Sequence, residues 1–137
     1  MNYDIHQSAK KTRDSYKHLE VDVNDSLKRF VNPNKVYPKS CYEKSYQYIT
    51  SHYINGMVLV HGSLQFNESI PIPVGHAWVE IDDILFDGVY QRFYNKDLYY
   101  KELGLVKDFE YTAEQAYEFA LKSGHYGSWE KPERLVL

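Results

Sequence analysis

Residues 75–88 constrain the fold of this chain more than any other stretch of its sequence. Polar and apolar side chains alternate along residues 75–81, a second apolar-rich run covers residues 84–89, and Asp82 and Asp83 lie between them. Such runs predict two β-strands, and a pair of acidic residues between them is typical of a tight turn. The segment therefore predicts an antiparallel β-hairpin.

A two-residue turn at this point also fixes the register of the hairpin. It places Ile81 opposite Ile84 and Trp78 opposite Asp87, which makes His76 the diagonal neighbour of Asp87 on the same face. A loop with an odd number of residues would move these side chains to opposite faces. The register therefore predicts that His76 and Asp87 approach each other.

The only cysteine of the chain lies at the predicted start of a helix. Tyrosine and isoleucine recur at helical spacing and predict a helix over residues 41–54, and Ser40 followed by Glu43 has the pattern of a capping box. At the first position of a helix, Cys41 would benefit from partial positive charge and free N–H groups, which favour a thiolate and an oxyanion. A nucleophilic thiol further needs a base and a group that orients the base, and the hairpin pair has the chemistry for both.

The remaining predicted elements complete an α+β fold. They are a surface helix or partly ordered arm over 5–20, a short helix carrying Leu27, Phe30 and Val31, a strand over 57–66, a loop over 67–73, a strand over 105–111, and a helix over 113–122 with a capping box at Thr112 and Gln115 and a stop at Gly124. We expect one domain over 1–137, with 1–35 as a possible N-terminal helical extension and 36–90 as the core that holds Cys, His and Asp.

Composition limits the classes of function. The net charge is −3 and the isoelectric point about 6.0, which argues against a broad nucleic-acid surface. No apolar run approaches the roughly 20 residues that cross a membrane, and residues 1–6 lack the apolar core of a signal peptide. One cysteine and six histidines show no metal-ligand spacing, and there is no phosphate-binding glycine loop. We expect a cytoplasmic protein with no metal and no cofactor.

The order Cys, His, Asp occurs together with two strings of residues, His-Ala-Trp-Val-Glu at 76–80 and Phe-Asp-Gly at 86–88. In these features residues 36–90 resemble the papain-like superfamily of cysteine hydrolases, and most closely its transglutaminase-like branch. The resemblance implies a nucleophile helix packed on a small antiparallel sheet with flanking helices. It also implies a role for each residue: Cys41 as nucleophile, His76 as general base and acid, and Asp87 as the carboxylate that orients His76.

The activity that the resemblance implies is acyl transfer or hydrolysis at a peptide or isopeptide bond, through a thioester on the cysteine. The substrate would be a peptide, a protein or a small amide, and either water or an amine would be the acceptor. Candidate substrate-binding residues are Trp78 as a wall of the site, Asn34 and Tyr37 as upstream oxyanion donors, and Tyr42 beside the nucleophile.

A second interpretation remains open. The fourteen tyrosines offer apolar rings with polar tips, a composition that suits a binding surface as well as a core margin. The chain would then be a catalytically silent papain-like protein that binds a small ligand or a protein partner in a tyrosine-lined pocket. The sequence does not indicate an oligomeric state.

Overall fold

The predicted hairpin forms the middle of a five-stranded antiparallel sheet in the computed structural model of this protein, which describes residues 4–64 and 73–130. The strands are β1 (Met57–Leu64), β2 (Val74–Ile81), β3 (Ile84–Asp87), β4 (Arg92–Asn95) and β5 (Val106–Tyr111). Their order across the sheet is β4-β3-β2-β1-β5. The expected α+β class with a small antiparallel sheet and flanking helices is confirmed.

The described residues also contain four α-helices and one 3-10 turn. They are α1 (Ile5–Ser15), the 3-10 turn Lys17–Leu19, α2 (Cys41–His52), α3 (Lys96–Leu103) and α4 (Ala113–Ser123). Within the described part of the chain, no helix combines the length and the apolar character needed to cross a membrane.

The hairpin has the predicted register. Val79 lies opposite Phe86 and Ile81 opposite Ile84, and residues 82–83 form the turn. The second strand ends at Asp87, earlier than predicted, because the chain turns there and the amide of Gln91 donates to the Asp87 carbonyl at 2.8 Å.

Two helix boundaries follow the predicted signals. Cys41 is the first residue of α2, as expected, although the helix ends at His52 and not at 54. Thr112 and Gln115 form the predicted capping box of α4, and Gly124 ends that helix in the left-handed conformation. The capping box predicted at the start of α2 is wrong, because the Ser40 side chain makes no capping hydrogen bond.

One further expectation is wrong, two elements were missed, and one region is not tested. The segment over 25–30 forms consecutive turns and not a helix, and Phe30 adopts a left-handed conformation with φ of 66°. Neither β4 nor α3 was predicted. The loop expected over 67–73 and the end of the strand expected at 65–66 fall almost entirely outside the described residues.

Alternation along the strands buries both faces of the sheet. One face contributes to a cluster that contains Trp78, Leu85 and Tyr94 and also includes Cys41. The other face packs Val79 and Phe86, among others, against the middle of α2. The start of α2 therefore belongs to one cluster while the middle of the same helix packs in the other.

Candidate functional site

His76 and Asp87 are joined by a hydrogen bond in the interior of the protein. Nε2 of His76 lies 2.7 Å from Oδ2 of Asp87, and the two side chains are 1% and 0% exposed. A carboxylate only accepts hydrogen bonds, so Nε2 must carry the proton that is shared with it. In the neutral imidazole, Nδ1 is then the atom with the free lone pair.

Asp87 accepts hydrogen bonds from two further groups. The Tyr99 hydroxyl donates to Oδ2 at 2.6 Å, and the Val89 amide donates to Oδ1 at 2.9 Å. A buried carboxylate is costly unless it is paired and hydrogen-bonded. Three donors, one of them an imidazole, therefore hold this charge and fix the plane of the carboxylate.

Cys41 is fully buried at the start of α2 and forms no disulfide. Its thiol faces the His76 imidazole, since Cys41 contributes to the raised pKa of His76. Even so, Nδ1 of His76 makes no hydrogen bond of normal geometry to any residue that the structure describes. The lone pair of His76 thus remains available to the thiol, next to helix-terminal amides that have no partner within the helix.

The pKa of His76 lies well above its usual value of 6.5. Burial alone would lower it, but the charge on Asp87 and the hydrogen bond to Asp87 outweigh burial, and Cys41 adds to the increase. His76 is therefore a strong base, and once Nδ1 has accepted a proton, from the Cys41 thiol or from water, the imidazolium form is favoured. An imidazolium is the partner that stabilises a neighbouring thiolate.

A glycine brings the carboxylate strand against the nucleophile helix. A Cβ atom at Gly88 would lie 2.6 Å from Cβ of Lys44 and 3.1 Å from its carbonyl carbon, well inside normal contact distance. Only glycine allows the chain after β3 to approach α2 this closely. The Asp-Gly pair thus does more than end a strand, since it sets the separation between Asp87 and the start of α2.

Trp78 packs beside the imidazole, with ring centres 5.8 Å apart, and is fully buried. Its Nε1 donates to Glu80 at 3.0 Å, and Lys107 pairs with the same carboxylate at 2.9 Å. The Tyr100 hydroxyl is the third donor to Glu80. This network fixes Trp78 as a wall behind His76 that solvent does not reach.

The other three predicted binding residues do not join the pair. Tyr42 follows the cysteine but turns its ring edge-on to His61, with 4.9 Å between ring centres. Tyr37 lies beneath the Lys44 ammonium, 4.1 Å from its ring centre, and its amide donates to the Val89 carbonyl. Asn34 lines a surface cavity of about 320 Å³ whose lining does not include the cysteine.

The candidate site is closed. Cys41, His76 and Asp87 are each at most 1% exposed, and none of the three lines the surface cavities that described residues form beside Glu80, Tyr48, Asn34 and Phe93. Across the described ranges, no three acidic, histidine or cysteine side chains converge in a way that would hold a metal ion. The arrangement is suited to proton transfer between a thiol and an imidazole once a substrate can enter.

Tyr99 is the site residue that sequence reasoning missed. It lies on α3, a helix whose signals are present in the sequence: Asn95 caps its start, Gly104 ends it, and Tyr99 and Leu103 have the spacing of one buried helix face. Recognising that helix would have identified Tyr99 as buried. Its contact with Asp87 depends on the tertiary fold.

We compared the chain with protein-family models, with curated proteins and with solved structures, and none of them matches it.

Proposed function

We propose that this protein is a cysteine-dependent acyl-transfer enzyme that cleaves an amide bond through a thioester on Cys41. The observation that supports the proposal best is the buried hydrogen bond between His76 and Asp87, which leaves Nδ1 of the imidazole without a partner among the described residues, while Cys41 acts on the same imidazole. A general base held by a carboxylate next to a helix-terminal cysteine is the arrangement that activates a sulfur nucleophile. The proposal includes a papain-like arrangement of α2 on the sheet.

In the proposed reaction, Nδ1 of His76 takes the proton of the Cys41 thiol. The thiolate attacks the substrate carbonyl carbon, and the carbonyl oxygen takes up negative charge near the free amides at the start of α2. His76 then gives the proton to the leaving amine as the C–N bond breaks, which leaves a thioester. His76 next removes a proton from water, and the hydroxide equivalent releases the acid and restores the thiol.

The first experiment measures the ultraviolet absorbance of the thiolate as a function of pH, since absorbance does not require a reagent to enter the closed site. We expect a thiolate signal at neutral pH that disappears in Cys41→Ser and in His76→Gln. His61→Gln is the matched control, because His61 is equally buried and has no hydrogen-bond partner among the described residues. Loss of the signal in both histidine variants, or no signal in the native protein, would contradict the proposal.

Turnover is tested next with a panel of peptide anilides, simple amides and aryl esters. Cys41→Ala should reduce kcat/KM by about 10⁴-fold or more, as loss of a nucleophile does in other acyl-transfer enzymes. Circular dichroism of the same variant should match that of the native protein, because the change removes only the sulfur atom of one side chain. Activity retained in folded Cys41→Ala would refute the mechanism.

Closure of the site favours the second candidate function, a papain-like protein that binds a ligand without reacting with it. A cavity of about 240 Å³ lies against α2 and is lined partly by Tyr37, Tyr48, Phe30 and Phe86. If this cavity is the functional site, a compound found by thermal-shift screening will bind Cys41→Ala unchanged and Tyr37→Ala weakly. A compound that binds only when Cys41 is intact would exclude this candidate.

A further inference from the structure

Tyr99 contacts the Asp87 carboxylate at Oδ2, the oxygen that also accepts the hydrogen bond from His76. Its hydroxyl donates to Oδ2 of Asp87 at 2.6 Å, and the same oxygen accepts Nε2 of His76 at 2.7 Å. An O–H group that donates to a carboxylate makes one of the stronger hydrogen bonds found in proteins. Tyr99 and His76 therefore fix Oδ2 from two directions.

The Tyr99 ring is itself held in place. It is completely buried, stacks on Tyr94 with ring centres 4.5 Å apart and planes 11° from parallel, and meets Tyr16 edge-on at 6.0 Å. Burial and the charge of Asp87 raise the pKa of Tyr99 well above 10.0, so the hydroxyl keeps its proton. The hydroxyl therefore remains a donor at neutral pH.

We propose that Tyr99 is a positioning residue of the acyl-transfer site, whose hydroxyl keeps the Asp87 carboxylate turned toward His76. The inference rests on the proposed function for its catalytic meaning, but its effect on His76 does not depend on Cys41. Without the hydroxyl, Asp87 would keep His76 at Oδ2 and the Val89 amide at Oδ1, and two donors would constrain the position of Oδ2 less than three do. The hydrogen bond and charge interaction by which Asp87 stabilises the His76 imidazolium would then weaken.

A competing effect has the opposite sign. The Tyr99 hydroxyl also draws charge from Oδ2, so its removal from a carboxylate that stayed in place would strengthen the bond from His76. If Tyr99 positions Asp87, the midpoint of the His76 titration will fall in Tyr99→Phe. If the hydroxyl only competes for the charge on Oδ2, the midpoint will rise. The direction of the shift decides between the two.

Other titratable groups face the His76–Asp87 pair from the elements packed around it. Cys41 approaches from α2 and adds to the raised pKa of His76. Three further tyrosines lie near Asp87, and burial is the first cause of the raised pKa of each; they are Tyr16 after α1, Tyr90 after β3 and Tyr94 on β4. The raised pKa values keep all three hydroxyls protonated at neutral pH.

Tyr94 supplies a matched control. It is as buried as Tyr99 and stacks on it, but its hydroxyl has no hydrogen-bond partner among the described residues. Tyr94→Phe and Tyr99→Phe each remove one oxygen from the same aromatic stack. Only the second change removes a contact with Asp87.

The experiment follows the His76 imidazole by NMR across pH in the native protein, Tyr99→Phe and Tyr94→Phe, and measures kcat/KM against pH where turnover is found. We expect the His76 midpoint to fall by about one pH unit in Tyr99→Phe, a tenfold loss in proton affinity, and to stay unchanged in Tyr94→Phe. An unchanged or raised midpoint in Tyr99→Phe, or an equal fall in both variants, would overturn the inference.

This test is separate from that of the proposed function. If Cys41 shows no thiolate and no substrate is turned over, the acyl-transfer proposal fails. In that case a lowered midpoint of the His76 titration in Tyr99→Phe would still show that Tyr99 positions Asp87. If the native protein turns over substrate and Tyr99→Phe has the native pH profile, only the inference about Tyr99 fails.

Discussion

His61 and His76 lie on neighbouring strands and are almost equally buried, yet their surroundings give them opposite protonation states. His61 pairs with Ala77 across the sheet while His76 pairs with Gly62, so the two imidazoles point to opposite faces. Burial lowers the pKa of His61 to about 4, whereas Asp87 raises the pKa of His76 well above 6.5. Burial alone lowers the pKa of a histidine and favours the neutral ring, and one hydrogen-bonded carboxylate is enough to reverse the direction of that shift.

The two surroundings differ in kind. Three aromatic rings surround His61, from Tyr42, Tyr111 and Trp129, with centres 4.8–5.0 Å away. Neither of its ring nitrogens has a hydrogen-bond partner within the described residues. His76 is instead part of a polar network inside an apolar cluster. His61 thus packs as a neutral aromatic ring, whereas the surroundings of His76 favour its charged form.

The largest effect we expect comes from removing the carboxylate. Asp87→Ala should lower the free energy of unfolding by about 3–5 kcal/mol, because it leaves a buried imidazole and the Tyr99 hydroxyl without their acceptor. Urea denaturation of the native protein and the variant measures the change. Asp83→Ala, at an exposed turn position of the same hairpin, should change stability by no more than about 0.5 kcal/mol. A loss under about 1 kcal/mol in Asp87→Ala would mean that the pair contributes little.

The next effect concerns His61 in acid. A folded pKa of about 4 lies below the unfolded value of 6.5, so the unfolded state binds more protons in this window and stability falls as the pH is lowered through it. The loss should reach about 3 kcal/mol near pH 4. His61→Phe keeps the aromatic packing and should remove this loss. Unfolding free energies of both proteins at several pH values between 4 and 7 test the point, and parallel curves would contradict it.

The His76–Asp87 pair should change the free energy of unfolding with pH in the opposite direction to His61. Its folded pKa is raised, so its contribution is complete below pH 6.5 and is lost as the pH rises toward that pKa. The stability advantage of the native protein over Asp87→Asn should therefore shrink above neutral pH, by no more than about 1.4 kcal/mol per pH unit. Denaturation between pH 6 and 9 measures the difference. An advantage that grew with pH would show that His76 is neutral when folded.

The smallest effect belongs to Tyr94. Its buried hydroxyl has no hydrogen-bond partner in the described structure, so Tyr94→Phe should be neutral or should stabilise the protein by about 1 kcal/mol. Thermal unfolding measures it directly. Destabilisation beyond about 1 kcal/mol would show that the hydroxyl has a partner in solution, such as a bound water, and Tyr94→Phe would then no longer serve as a matched control.

The sequence predicted the centre of the fold because its signals there are local. An even turn at residues 82–83 determines the register on both sides of it, and the structure has that register. Thr112 and Gln115 form a capping box that needs no tertiary contact. These features depend on neighbours a few residues apart, which a sequence displays directly.

The errors come from short elements and long-range contacts. β4 has only four residues with adjacent buried rings at Phe93 and Tyr94, a pattern without alternation. α3 has eight residues, too few for a clear period. The approach of Tyr99 to Asp87 joins two elements through the packing of the sheet, and no spacing along the chain encodes it. The place of Cys41 beside His76 depends equally on how α2 packs.

Complete burial of Cys41 makes its thiol a reporter of motion. A reagent in solution can modify this sulfur only during transient openings, so the modification rate will be the product of an opening equilibrium and the intrinsic rate of an exposed thiol. If a substrate enters by the same openings, any change that raises the opening equilibrium should accelerate modification and turnover together. The reactivity of one atom would then measure how often the interior of this protein meets the solvent.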